Sequence, residues 1–216
     1  MTNLVAIFFA SLGIGLTGAI MPGPLLALTV KESLSHGKTA PLWLACGHSL
    51  CELVMVAALV GGVINLFSVN ALTGPVGLLG GAMLLYMGIG AFKEVRAGSI
   101  PDTSSTPINA RNLLLGGAAV SVLNPYWTVW WLTAGLAQVV IAQKAGEIGI
   151  ISFYAGHISA DFLWFGVVGL VASSGTRMFE GKLYRGVLQA CGIFLFVFGL
   201  VFAIYGMKTL HSVFNA

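Results

Sequence analysis

Gly47-His48-Ser49-Leu50-Cys51-Glu52 and Gly156-His157-Ile158-Ser159-Ala160-Asp161 share the pattern Gly-His-x-x-x-acid. They lie 109 positions apart, each near the middle of a long apolar stretch. Ionisable side chains are costly in hydrocarbon and by default mark a substrate, ion or proton path. Finding the pair twice predicts an internal duplication. The duplication points to a transporter.

Working outward, 57% of the residues are hydrophobic and 8% charged, with a mean hydropathy of +0.95. A soluble domain carries about 25% charged residues, so the chain is expected to be an integral membrane protein. The net charge of +3 does not imply a nucleic-acid partner, because most basic residues fall between apolar runs, where they set topology. Met1-Thr2-Asn3 has no basic n-region, and the apolar run after it is too long for a cleaved leader. Cys46, Cys51 and Cys191 all lie in apolar stretches. Cys46 and Cys51 are five apart, a poor spacing for a disulfide on a helix, and all three read as small buried residues. No cofactor is called for.

Runs of about 20 apolar residues are the unit of a membrane span. Six are expected, at residues 4–30, 42–67, 76–92, 112–142, 148–172 and 184–207. The Ser/Thr/Pro-rich stretch within 93–111 reads as a cytoplasmic linker between a first three-helix repeat, 1–92, and a second, 112–216. Lys31, Lys38, Lys93, Arg96, Arg111, Arg177, Lys182 and Arg185 follow spans one, three and five, whereas the other side has Lys144 and Lys208. This bias puts those connections in the cytoplasm and both termini outside. Three spans is an odd number, so the second half is inverted relative to the first, as in many secondary transporters. Gly81 and Gly88 in span three match Gly192 and Gly199 in span six at an offset of 111. Gly77 with Gly81, and the pairs Gly80-Gly81 and Gly116-Gly117, read as packing residues for close helix approach.

Residues four apart share a helical face, so His48 lies one turn from Glu52 and His157 one turn from Asp161. Inversion brings the two carboxylates together at the midplane, with one imidazole toward each entrance. A buried acid beside an imidazole can trade protons near neutral pH, as proton-coupled antiport requires. Two histidines and two carboxylates would equally suit a first-row divalent cation, so His48, Glu52, His157 and Asp161 are also a candidate metal set for a cation exporter.

Proline interrupts spans one and four, at Pro22-Gly23-Pro24 and Asn124-Pro125. Each proline lacks an N–H and displaces the carbonyl four residues earlier, which would free the carbonyls of Gly18, Ile20 and Ser121. Irregular backbone at membrane depth belongs against protein or a wet cavity. A half-helix beginning near Pro24 would offer its positive end to a carboxylate, while Glu52 and Asp161 receive an ammonium group. Trp127 and Trp131 share a face after the second break and could wall the cavity, although interface or core packing is the plainer reading. Lys31 and Glu32 mark the solvated end of the first run. His-Glu-x-x-His is absent and spans one and four hold no cysteine, so no enzyme is expected.

With these residues in place the chain resembles the LysE/RhtB family of small amino-acid exporters over essentially its whole length. The matching pieces are Met21-Pro22-Gly23-Pro24, Ser33-x-x-x-Gly37 and Gly47-His48 through Glu52, then Leu123-Asn124-Pro125-Tyr126-Trp127 with Trp130-Trp131, Gly156-His157 and Asp161. It looks like a branch with histidine–acid pairs on spans two and five. The resemblance implies a six-span inner-membrane protein, working as a dimer, that exports amino acids in exchange for protons. The wider superfamily includes metal exporters, which keeps the cation reading alive.

Overall fold

The computed structural model describes residues 3–62, 69–98, 109–174 and 184–214, and among these every regular element is helical. Arg177, Lys182 and the Ser/Thr/Pro-rich part of the linker lie outside the described residues.

The first expected span is two helices. α1 (Leu4–Ala19) is opened by Asn3, whose Oδ1 accepts from Val5 N–H at 3.0 Å. α2 (Pro24–His36) meets it at 80°. The break follows from Pro22-Gly23-Pro24: proline cannot continue a helix but suits its first turn, and Pro24 starts α2. Lys31 and Glu32 therefore do not end the helix; it runs on to Gly37, whose φ of 78° closes it. That left-handed conformation favours glycine.

α3 (Ala40–Val60) and α8 (Gly146–Ser173) carry the two histidine–acid motifs. α4 (Val69–Ala97) and α9 (Tyr184–Phe214) run well past the expected third and sixth spans. The expected fourth span, 112–142, is a relay of short pieces. α5 (Ala110–Val122) stops before Asn124-Pro125, α6 (Pro125–Trp130) restarts there, a single π-helical turn follows at Trp131–Gly135, and α7 (Leu136–Gln143) completes it. Among the described residues, four helices are long and apolar enough to cross a membrane alone, and the bent α1–α2 pair supplies a fifth. α5 has 13 residues, about 20 Å at 1.5 Å per residue, short of a bilayer core of about 30 Å.

Three helix pairs dominate the packing: α1 on α8, α3 on α5, and α4 on α9. Glycine brings the backbones together in each. A Cβ on Gly156 would run into the Phe8 carbonyl, and one on Gly47 into that of Leu114. Between α4 and α9, Gly81 lies against Gly199 and Gly88 against Gly192, so the glycines matched by spacing face one another, as close packing in lipid requires. Large apolar side chains point outward; Val54 is 70% exposed and Leu79 72%. An outer surface of this kind suits lipid and not water.

Candidate functional site

α3 and α8 hold their motifs side by side. His48 and Glu52 lie on one face of α3, His157 and Asp161 on one face of α8, and all four are less than a tenth exposed. The two carboxylates come together, as expected, in one cluster with the two imidazoles. Both converge on one oxygen: Glu52 Oε1 lies 3.0 Å from His157 Nε2 and 3.1 Å from His48 Nε2. Each histidine is 3.8 Å from a different oxygen of Asp161. His157 is thus closer to the acid of the other motif than to its own. The i to i+4 spacing could not show this, because it describes one helix at a time.

The π-helical turn adds a third donor. Trp131, fully buried, donates its indole N–H to Glu52 Oε1 at 3.4 Å. One carboxylate oxygen therefore faces three ring nitrogens, those of His48, His157 and Trp131. The remaining oxygens are different. Glu52 Oε2 and Asp161 Oδ2 are buried without a hydrogen-bond partner, and a buried carboxylate oxygen without a donor costs about 1–3 kcal/mol or more.

Trp130, Trp131 and Phe153 surround the His157 ring, with centroids at 4.9, 5.0 and 6.1 Å. His48 has Phe165 edge-on at 6.2 Å. Its Nδ1 lies 2.6 Å from Ser121 Oγ, on the last turn of α5. Tyr154 OH donates to the Ser49 carbonyl at 2.7 Å and ties α8 to α3 beside the cluster.

A cavity of about 70 Å³ adjoins these groups. Its wall includes all four ionisable side chains, Gly23, Pro24 and Asn124 from the two breaks, and Trp127 and Trp130. Pro22 and Pro125 are not among the lining residues, and Pro125 packs against Gly80 of α4. Two of the three carbonyls expected to be freed are bonded: Gly18 C=O accepts from Met21 N–H at 3.3 Å and Ser121 C=O from Asn124 N–H at 3.1 Å. Short-range turns absorb both. The helix starts differ too. Asn124 Oδ1 caps α6 through Tyr126 N–H at 3.1 Å, whereas α2 begins at Gly23 with no side-chain cap. Gly23, Pro24, Leu25 and Leu26 at the start of α2 all line the cavity.

Ser121, Trp131, Trp130 and Gly15 all take part, yet spacing did not single out their roles. Ser121 stands one turn before Pro125, so the break drew attention to its carbonyl and away from its hydroxyl. Trp131, at the start of the π turn, reaches Glu52 across 79 positions of sequence.

A helical, lipid-facing chain with buried ionisable groups from two distant segments around a cavity between broken helices is a membrane transporter. The match to the LysE type translocator family model, over residues 16–206, places the chain in that family. The chain is 26% identical to the arginine exporter protein ArgO of Salmonella schwarzengrund over 219 residues, covering 98% of this chain and all of that protein. It is likewise 26% identical over 220 residues to arginine exporter protein ArgO of Salmonella newport, with the same coverage. Comparison with solved structures finds no significant match. The family consists of translocators, and the chain is a multi-pass membrane protein.

Proposed function

We propose that this protein exports an amino acid or related small zwitterion across the inner membrane in exchange for protons. The observation that carries the reading is the meeting of both histidine–acid pairs and both helix breaks around one cavity. Its ends are chemically opposite. The uncapped start of α2 suits a carboxylate, and the unpartnered oxygens of Glu52 and Asp161 suit an ammonium group or a proton. Relatives named as arginine exporters make a cationic amino acid the first cargo to try.

The cavity leaves about 70 Å³ to the centres of water molecules, room for several waters. The 80° joint between α1 and α2 is the hinge that widens it for cargo. Six spans in two inverted halves belong to the same proposal, the sixth completed by α5 with α6 and α7. The three matched helix pairs support it. Lysine and arginine bias sets both termini outside, and the homodimer follows the family resemblance alone.

One observation favours a second reading. Ligand atoms of His48, Glu52 and Asp161 lie within 4.8 Å of one another, a spacing that could hold a divalent cation as cargo. Proteoliposomes loaded with arginine, lysine, Zn²⁺, Mn²⁺ or Ni²⁺ under an imposed pH gradient separate the two. Amino-acid flux that collapses with the gradient is expected. Metal flux without amino-acid flux would refute the zwitterion reading.

A further inference from the structure

We propose that a second cavity, between α2, α4 and α9, is a binding site for one phospholipid whose headgroup carries both a phosphate and a primary ammonium, a phosphatidylethanolamine.

The cavity leaves about 250 Å³ to the centres of water molecules, more than the space beside the histidine–acid cluster. Three helices each give it a stripe that is polar at one end only. α2 runs from Pro24 to Lys31, α4 from Met87 to Glu94, and α9 from Leu195 to Tyr184. The lining between those ends is alanine, glycine, leucine and cysteine. Tyr184 OH donates to Glu94 Oε1 at 2.7 Å, and Val30, next to Lys31, shares a buried cluster with Tyr184. The three polar ends therefore lie together, and the cavity is a trough with a charged mouth and an apolar body.

The mouth is also where the helices end. Tyr184 opens α9, while Glu94 and Lys31 belong to the closing turns of α4 and α2. In a bilayer that is headgroup depth, where lysine and tyrosine settle. Lys93 precedes Glu94 and Arg96 follows it. By the lysine and arginine bias this is the cytoplasmic leaflet, on which basic pockets between helices take lipid headgroups.

Lys31 and Glu94 share the mouth without pairing. Among the described residues Lys31 has no carboxylate partner, and Glu94 takes only the Tyr184 bond. A cation and an anion held apart complement a phosphate and an ammonium on one head. A purely anionic head would leave Glu94 facing like charge, and a choline head has no N–H to give it. The body sets the rest of the ligand. From Pro24 to Lys31 the helix rises about 10 Å at 1.5 Å per residue, a length that an unbranched acyl chain fills and an amino acid's side chain does not. The trough runs along the helices, as acyl chains run through a leaflet. It ends at Pro24, which lines both cavities, so the tail reaches the first residue of the α2 arm of the hinge. The site stands on its own geometry, independent of the export reading above.

The test is native mass spectrometry of the full chain released from vesicles of phosphatidylethanolamine and phosphatidylglycerol, with thermal melting to show that each variant is folded. One retained phosphatidylethanolamine per chain is expected, and none of phosphatidylcholine when that lipid takes its place. Lys31→Gln and Glu94→Gln each remove one charged contact and should weaken retention about tenfold. Gly90 lines the trough between Met87 and Glu94, and a Cβ there meets open space. Gly90→Phe should therefore fill the body and abolish retention while the protein stays folded. Equal retention of phosphatidylglycerol or phosphatidylcholine, or retention that Gly90→Phe leaves intact, overturns the assignment. Displacement of the lipid by free arginine or leucine would make the trough a cargo site and overturns it too. Retention as expected in a protein that moves no amino acid would sink the export reading and leave this site in place.

Discussion

Replacing Glu52 with glutamine keeps the side chain's shape and one oxygen but removes the charge on which two histidines and a tryptophan converge. Wild-type Oε1 faces ring nitrogens at 3.0, 3.1 and 3.4 Å. A hydrogen bond to a charged group contributes about 1.5–3 kcal/mol and a neutral one about 0.5–1.5, so each loses about 1 kcal/mol, and the long tryptophan bond less. The sum is about 2–3 kcal/mol. That is the stability the three contacts stand to lose, while the missing charge removes the carboxylate that the cargo's cationic group or a proton would use. Glu52→Asp separates charge from reach: it restores the charge but draws the oxygen back by one methylene, roughly 1.5 Å, beyond hydrogen-bonding range of both histidines. Both variants should therefore fail, glutamine through lost charge and aspartate through lost geometry. The assay is gradient-driven arginine flux in proteoliposomes, with thermal melting of the purified protein to show that it remains folded. Glu52→Gln flux within threefold of wild type would refute the reasoning, because no path through Glu52 could then be obligatory.

Four further outcomes are expected. Gly169→Ala should destabilise α8 by about 1–3 kcal/mol, since its Cβ would strike the Pro41 ring, whereas Gly166→Ala, with open space around it, should be neutral or stabilising by up to about 1 kcal/mol; melting curves that shift the same way for both would contradict the packing. Gly47→Ala should cost more than Gly169→Ala, because its neighbour is the rigid backbone of Leu114, and a fully folded variant with wild-type melting would disprove that contact. Trp131→Phe keeps the ring but loses the donor to Glu52, so cargo affinity should fall about tenfold (about 1.4 kcal/mol) with little change in expression; an unchanged affinity would remove the indole from the site. Asn124→Ala removes the cap on α6, worth about 1 kcal/mol; transport should weaken, and Asn124→Asp should rescue it.

Composition and spacing alone determine that this chain lives in a membrane, because 8% charged residues cannot clothe a water-facing surface. They also determine where helices must break, since a proline's missing N–H and its ring clash are local effects. The motif residues are legible for the same reason: an acid one turn from a histidine in hydrocarbon needs no neighbour to stand out. Which groups meet is another matter. That His157 bonds to Glu52 and not to Asp161, that Trp131 turns inward, and that Ser121 reaches His48 are decided by how α3, α8, α5 and the π turn pack together. A hydrogen bond between residues 105 apart depends on the relative rotation and approach of two helices. Glycine–backbone contacts set that approach across the pair, and no single stretch of the chain encodes it.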